Sequence, residues 1–315
     1  MRIASLLPSA TEIVHFASAG DSLVGVTHEC DYPTSVERLP KLTRSKVDSS
    51  MSSAEIDTAI GNILTDDGSI YTLDAQLLTE LAPGLIITQG LCEVCAVSTD
   101  LVYEAASKLE NPPDVISLNP TSLEDVLHAA VRVGKAVGRG EGTRRKIKAL
   151  RERLTRVEEA VAGLDRPRVG CIEWLDPAFS AGHWVPEMVL IAGGQEIFAE
   201  AGEPSMRLTW EEVFEAAPEV LVLMTCGFDV ERTIEESRHL PELSGWSELP
   251  AVKDGRVWAV DANSHFSRPA PRLVEGVETL ARILHPEVFP DAARKATAIR
   301  VAGKRSLHPE GAPDL

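Results

Sequence analysis

The chain has 315 residues, of which 44% are hydrophobic, so it is long enough to bury the cores of two medium-sized domains. Its 48 acidic and 31 basic residues give a formal net charge of -17 at pH 7. This charge argues against a nucleic-acid partner, because phosphate backbones are bound by clustered Lys and Arg. No segment approaches the roughly 20 apolar residues that span a bilayer, and the start "MRIASLLPSATEIV" lacks the pattern of a signal peptide. The sequence therefore predicts a cytoplasmic protein without membrane insertion.

Strands and helices alternate in the first part of the chain. The predicted order is strand "RIASLL", helix "TEIVHFASAG", strand "LVGVT", helical segments over residues 53–81, strand "APGLIITQ", helix "STDLVYEAASKL" and strand "DVISL". The strands are almost continuously apolar and are separated by helices. We therefore expect an α/β fold with a parallel sheet that is covered on both faces.

Residues 121–163 are charged and predicted to be helical apart from "GRGEG" at 138–142. Thr121 and Glu124 have the spacing of a capping box at the start of this segment. One apolar stripe follows the glycines at intervals of three and four residues, and it consists of Ile147, Leu150, Leu154, Val157 and Val161. The pattern predicts a long helix that connects two lobes.

The alternation resumes after this helix, with strands "RVGCIEWL", "EVLVLM" and "RVWAV" and helices near "PEMVLIA" and "RLVEGVETLARIL". Moreover, "LLTELAPGLIITQGLC" and "VFEAAPEVLVLMTCGF" share the order helix, Ala-Pro, apolar strand and cysteine-containing loop, which indicates two related α/β lobes. The predicted domains are an N-terminal lobe over 1–120, a linking helix over 121–163, a C-terminal lobe over 164–288 and a polar tail over 289–315. Ligands of open α/β sheets bind at the C-terminal ends of the strands, so we expect the site there.

The order and spacing of several stretches resemble a known family. These stretches are "RIASLLPSATEIVHFASAG", "LVGVTHECDYP", "LLTELAPGLIIT", the long linking helix and "WEEVFEAAPEVLVL". Over residues 2 to about 286 the chain resembles the class III substrate-binding proteins of ABC importers, in the branch that carries vitamin B12 and iron-siderophores. The resemblance implies two Rossmann-like lobes with parallel sheets, joined by one long rigid helix, and a ligand held in the cleft between them.

Within this family, "DYP" and "SRPAPR" are most similar to the cobalamin-binding branch, in which aromatic side chains contact the corrin. By position Tyr32, Trp174 and Phe266 are the equivalents that the resemblance implies here. It therefore implies cobalamin, or another small-molecule metal chelate, as the ligand. Members of the family are typically secreted or lipid-anchored, whereas the first predicted strand begins at Arg2, which argues against docking to an ABC importer.

Thiol and imidazole side chains follow several predicted strands. His28 and Cys30 lie in "HECDYP", and Cys92 and Cys95 have metal-clamp spacing in "CEVC". Because "CEVC" precedes a predicted helix, a redox pair is an alternative to a metal site. We favour a transition metal, since His28 and Cys30 would lie on the neighbouring strand end and thiolate with imidazole suits zinc, iron or copper.

Further ligand-binding candidates lie in the second half of the chain. Trp184 offers a flat apolar contact beside His183 in "GHWVPE", and His265 precedes Phe266 in "NSHF". The alternative for "GHWVPE" is the start of a helix, with Pro186 in the first turn and the indole in the core.

Two classes of function fit these patterns. The first is a binding protein for a corrinoid or another metal chelate. The second is a cytoplasmic metalloenzyme in the same cleft, with a Cys- and His-bound transition metal and with Glu173 or Glu187 as general base on a metal-bound water. The resemblance favours binding, and the additional thiols and imidazoles favour chemistry.

Overall fold

The computed structural model describes residues 1–67, 69–90, 97–290 and 297–301. Strands and helices alternate through both halves of the chain. The larger sheet of each half has a core of parallel strands. The α/β class with parallel sheets that the sequence predicts is therefore confirmed.

The chain divides into two compact units. The first unit consists of Met1–Arg153 together with Arg268–Leu273, and is therefore discontinuous in sequence. The second consists of Leu154–Ser267 together with the described residues from Val274 onward. The four-part division expected from the sequence stays a prediction.

The first unit contains a parallel sheet and a small antiparallel sheet. Its elements are β1 (Ile3–Ser5), α1 (Pro8–Phe16), β2 (Leu23–Gly25), β3 (Thr43–Ser45), α2 (Ser53–Asp67), β4 (Tyr71–Leu73), α3 (Ala75–Leu81), β5 (Leu85–Thr88), α4 (Thr99–Ser107), β6 (Asp114–Ser117), α5 (Leu123–Ala136) and the start of α6 (Gly140–Ala160). Among the described residues the parallel sheet has the order β2-β1-β5-β6, and β3 pairs with β4. The core between sheet and helices includes Leu6, Leu78, Ile86 and Val102.

Two local expectations in this unit are wrong. Residues 71–73 were included in a helical segment, but they form β4, because Tyr71 and Leu73 pair with Ser45 and Thr43 of β3. The capping box of α5 uses Ser122 and Asp125, one residue after the expected pair, because the Ser122 hydroxyl accepts the amide of Asp125. The segment at residues 121–163 forms two helices, α5 and α6, and its interruption lies at residues 137–139 instead of 138–142.

The second unit is built on one mixed sheet. Its elements are β7 (Arg168–Leu175), β8 (Ala178–Ser180), α7 (Val185–Ile191), β9 (Gln195–Glu196), α8 (Trp210–Ala216), β10 (Val220–Leu223), α9 (Val230–Glu236), α10 (Pro250–Lys253), β11 (Val257–Val260), α11 (Ala262–His265), α12 (Leu273–Leu284) and β12 (Ala298–Arg300). In the described part of the chain the sheet order is β12-β11-β10-β7-β8, with β9 also paired to β7. Strands β7, β10 and β11 are parallel, and the core includes Ile172, Leu221, Leu223, Leu240 and Trp246.

The repeated helix-Ala-Pro-strand pattern of the sequence is present in both units. Helices α3 and α8 end at Ala82 and Ala217, which adopt left-handed conformations with φ of 40° and 47°. A proline follows each alanine and stops the helix, and a fully buried strand, β5 or β10, begins soon after. The expectation of two related α/β repeats is met at this level of detail.

Within residues 289–290 and 297–301, the described part of the polar tail expected after residue 288, there is one regular element. Residues 298–300 form β12, which pairs antiparallel with β11 through Ala298, Ile299 and Arg300. The three-residue strand was missed because it is too short to show an apolar period. Its position is set by the backbone of β11.

Candidate functional site

A buried cluster of charged side chains lies in the first unit. Glu12, in helix α1, is 4% exposed. Arg268 donates to a carboxylate oxygen of Glu12 at 3.2 Å, to Asp31 through both terminal nitrogens and to the backbone oxygen of Glu29 at 3.2 Å. A buried carboxylate requires such partners, because the desolvation of an unpaired charge costs on the order of several kcal/mol.

The second arginine of this cluster links Glu12 to an aromatic ring. Arg272 donates from Nε and from a terminal nitrogen to the two carboxylate oxygens of Glu12, at 2.8 and 2.7 Å. Its guanidinium carbon lies 3.9 Å from the centroid of the Tyr32 ring. Tyr32 is nevertheless 46% exposed. The cluster therefore supports an aromatic side chain that remains accessible to a ligand.

The "HECDYP" loop after β2 directs its imidazole and its thiol to different partners. Nδ1 of His28 lies 2.8 Å from the Thr43 hydroxyl, and its ring lies 5.6 Å from that of Tyr71. Sγ of Cys30 lies 3.1 Å from the Thr11 hydroxyl and is buried. Burial raises the pKa of the Cys30 thiol and lowers the pKa of His28. Both side chains are therefore neutral near pH 7.

The expected metal site is described only in part. Cys92 and Cys95 lie outside the described residues. Within the described ranges there is no group of three or more His, Cys, Asp or Glu side chains that could hold a metal ion. A site of His28, Cys30, Cys92 and Cys95 therefore stays a prediction, and it would require the buried Cys30 thiol to lose its proton.

In the second unit, β7 ends at two of the predicted site residues. The carboxylate of Glu173 accepts hydrogen bonds from the Ser205 hydroxyl and the Gly182 amide, and burial raises its pKa to about 7. Gly182 is required here, because a Cβ at this position would lie 2.4 Å from the amide nitrogen of Ser205. The ring of Trp174 lies 5.6 Å from that of Phe228 and is partly exposed.

His183 adopts a left-handed backbone conformation with φ of 54°. Its amide donates to the backbone oxygen of Glu203 at 2.6 Å, and its backbone oxygen accepts from the amide of Gly202 at 2.8 Å. Such a conformation is strained for a residue with a Cβ and persists only where neighbouring contacts hold it. Burial lowers the pKa of the imidazole, so the ring is neutral near pH 7.

The other aromatic candidates of this unit are packed inside it. Trp184 is buried at the start of α7 and donates from its indole nitrogen to the backbone oxygen of Phe266 at 2.7 Å. Phe266 is buried as well, and Nδ1 of the buried His265 lies 3.7 Å from a carboxylate oxygen of Glu275. The structure assigns Trp184 and Phe266 a packing role, and their contact with a ligand stays a prediction, as does a catalytic role for the partly buried Glu187.

The residues that support Tyr32 were not predicted from the sequence. The family resemblance includes "SRPAPR" but implies no role for Arg268 or Arg272. Glu12 carried a usable signal, because it is the one acidic residue in the predicted helix "TEIVHFASAG" and directly precedes the apolar Ile13 and Val14, and a charge that becomes buried needs a partner. The identity of that partner could not be inferred, because Arg268 lies 256 residues away.

Among the helices that the structure describes, none is long and apolar enough to cross a membrane.

The fold occurs in solved binding proteins. The apo structure of the periplasmic heme-binding protein RhuT from Roseiflexus sp. RS-1 aligns with a TM-score of 0.68 and 21% identity, over 91% of this chain and 99% of that chain. A vitamin B12-binding protein of Vibrio cholerae strain O395 is 23% identical over 90% of this chain and 88% of its own length. An uncharacterized ABC transporter substrate-binding lipoprotein, YvrC of Bacillus subtilis strain 168, is 25% identical over 91% of this chain and 81% of its own length.

These likenesses show that the chain has the α/β fold of these proteins. The family model for periplasmic binding proteins matches residues 3–263, and the chain belongs to this family. The resemblance expected from the sequence is thereby confirmed.

Proposed function

We propose that the protein binds a flat metal chelate, and that a corrinoid such as cobalamin is the preferred ligand. The observation that carries the proposal is the exposed ring of Tyr32, which is held on the guanidinium of Arg272. A supported aromatic face suits a planar macrocycle, because offset stacking of rings adds about 0.5 to 1.5 kcal/mol to the burial of their apolar area.

The relatives support the same ligand class. One is named a vitamin B12-binding protein and one is named a heme-binding protein, and both ligands are large macrocycles that hold a metal. In the second unit, the partly exposed ring of Trp174 lies 5.6 Å from the ring of Phe228 and is a separate aromatic candidate. The expectation that the protein does not dock to an ABC importer and its expected cytoplasmic location both stay predictions.

Parallel titrations test the ligand class. Purified protein is titrated with cyanocobalamin, with hemin and with a ferric hydroxamate siderophore, and binding is followed by absorption and by equilibrium dialysis. We expect saturable binding of one equivalent of cyanocobalamin, with weaker binding of the siderophore because it lacks a planar ring. Saturable binding of hemin alone would replace the corrinoid by a porphyrin, and no saturable binding at high micromolar concentration of any of the three would contradict the proposal.

A second candidate is the metalloenzyme. The observation in its favour is Glu173, whose pKa of about 7 falls in the range that suits a general base at neutral pH. Its metal would be held by His28, Cys30, Cys92 and Cys95. Protein reconstituted with zinc, iron or copper should then retain one equivalent of metal after dialysis, and the double variant Cys92→Ser, Cys95→Ser should lose it. Equal metal content in parent and variant would exclude this ligand set.

A further inference from the structure

The segment Arg268–Leu273 belongs to the first unit, and its two arginines bind the same buried carboxylate. The two guanidinium groups have different further partners. Arg268 continues to Asp31 and to the backbone of Glu29, whereas Arg272 continues to the ring of Tyr32. The roles of the two arginines are therefore separable.

The bond pattern of Arg272 fixes the plane of its guanidinium. Nε and a terminal nitrogen donate in parallel to the two oxygens of Glu12, at 2.8 and 2.7 Å. A planar fork that makes two bonds to one carboxylate cannot rotate about its own axis, and Lys, with a single ammonium group, cannot reproduce this geometry. Glu12 is in turn held by Arg268 and by its place in helix α1.

The fixed guanidinium covers one side of the Tyr32 ring. The distance of 3.9 Å from the guanidinium carbon to the ring centroid is a stacking contact. Tyr32 is still 46% exposed, so its accessible surface lies on parts of the residue that the guanidinium does not cover.

We infer that Arg272, held by Glu12, is a positioning residue that fixes the ring plane of Tyr32 and presents its open face to a planar ligand. The inference rests on the proposed function for the identity of that ligand. A ring that is already oriented loses little conformational freedom when the ligand binds, so the support increases affinity without a contact between Arg272 and the ligand.

A spectroscopic experiment tests the positioning without any ligand. The chain has three tyrosines, Tyr32, Tyr71 and Tyr103, so protein labelled with 3-fluorotyrosine should give three fluorine resonances, and Tyr32→Phe assigns one of them. We expect Arg272→Lys to shift the Tyr32 resonance and to leave the other two unchanged. Arg282→Lys is the matched control, because Arg282 lies on α12 and pairs with Glu278. An unmoved Tyr32 resonance in Arg272→Lys would overturn the inference.

Binding measurements then separate positioning from a purely structural role. In the parent background, Arg272→Lys should weaken cyanocobalamin binding by about threefold to tenfold, whereas in the Tyr32→Ala background it should change affinity by less than twofold. Equal losses in both backgrounds would show that Arg272 acts through the stability of the unit and would overturn the inference. If Arg272→Lys does not fold, Glu12→Gln replaces it, because it weakens the same fork at nearly constant volume.

The two proposals fail in different ways. If Arg272→Lys shifts the Tyr32 resonance but the parent protein binds no planar chelate, the proposed function and the ligand part of the inference would be contradicted. The role of Arg272 in fixing the ring would be retained. A bound chelate with an unmoved resonance would contradict only the positioning role of Arg272.

Discussion

Glu173 is a partly buried acid near the C-terminal end of β7. Its carboxylate accepts hydrogen bonds from Ser205 and Gly182, but burial outweighs them and raises its pKa from the usual 4.5 to about 7. The difference between these pKa values corresponds to roughly 3 kcal/mol of preference for the protonated form in the folded state. The native protein therefore binds a proton here more tightly than the unfolded chain does.

This shift predicts how Glu173 affects stability. The contribution of Glu173 to the free energy of unfolding is fully present below about pH 4.5 and is lost as the pH rises to about 7. Glu173→Gln keeps the shape and removes the titration, so it should be more stable than the parent at pH 8 and should lose this part of the pH dependence. Urea unfolding between pH 4.5 and 8 measures both effects, with Glu215→Gln on the exposed face of α8 as the control. Parallel curves for the parent and Glu173→Gln would contradict the prediction.

Glu196 shows that the same pKa does not imply the same role. Burial raises its pKa to about 7 as well, but its carboxylate accepts the backbone amides of Cys171, Ile197 and Phe198 at 2.9 to 3.2 Å. These bonds satisfy amide groups where β9 leaves the edge of β7. The carboxylate of Glu196 therefore stabilises the backbone at this sheet edge. Glu173, in contrast, lies next to Trp174 near the end of β7.

At the scale of elements, the helix ends before β5 and β10 each have an alanine in a strained backbone conformation. Ala82 and Ala217 both have a positive φ, which is unfavourable for a residue with a Cβ and is the usual place for glycine. Packing does not explain the alanine at position 82, because Ala82 is exposed.

The strain predicts opposite effects of two substitutions at one position. Ala82→Gly should stabilise the protein by about 0.5 to 1 kcal/mol, because glycine adopts positive φ without a steric penalty. This net value includes the opposing contribution of the larger conformational entropy of glycine in the unfolded chain. Ala82→Val should destabilise it by at least about 1 kcal/mol, because a β-branched side chain is excluded from this conformation. Denaturant titration of the two variants measures the difference, and destabilisation by both substitutions would contradict this account of the helix end.

Elements with a strong local pattern could be predicted from the sequence. The buried strands β5 and β10 were identified because each is a short apolar run, and the start of α7 was placed correctly by Pro186. Strands β4 and β12 were not found, because each has three residues and owes its conformation to pairing with a strand elsewhere in the chain. The capping box of α5 was displaced by one residue, since Thr121 and Ser122 both fit the local motif.

The candidate site could be predicted less completely than the fold. Tyr32 was assigned through the family resemblance, and the loop that carries it was placed after β2. Its support was not assigned, because the fork between Glu12 and Arg272 joins residues 260 positions apart and leaves no local pattern. Candidate aromatic residues such as Trp184 could not be separated from core residues by sequence, because both roles require the same side chain.

At the scale of the whole molecule, the chain combines two related α/β units with one family assignment that covers residues 3–263. The chain belongs to the family of periplasmic binding proteins, and the proposal of a planar ligand rests on the supported aromatic ring of the first unit. The exposed ring of Tyr32 is therefore the feature on which the proposed function depends most directly.

The binding of cyanocobalamin to Tyr32→Ala, compared with the parent and with Tyr103→Ala, tests this claim most directly. Tyr103 is a fair control because its side chain is 49% exposed, against 46% for Tyr32, and lies on helix α4. We expect one saturable site in the parent, a loss of affinity of about tenfold in Tyr32→Ala, and unchanged affinity in Tyr103→Ala. Equal affinity of all three proteins, or an equal loss in both variants, would contradict a ligand site at Tyr32.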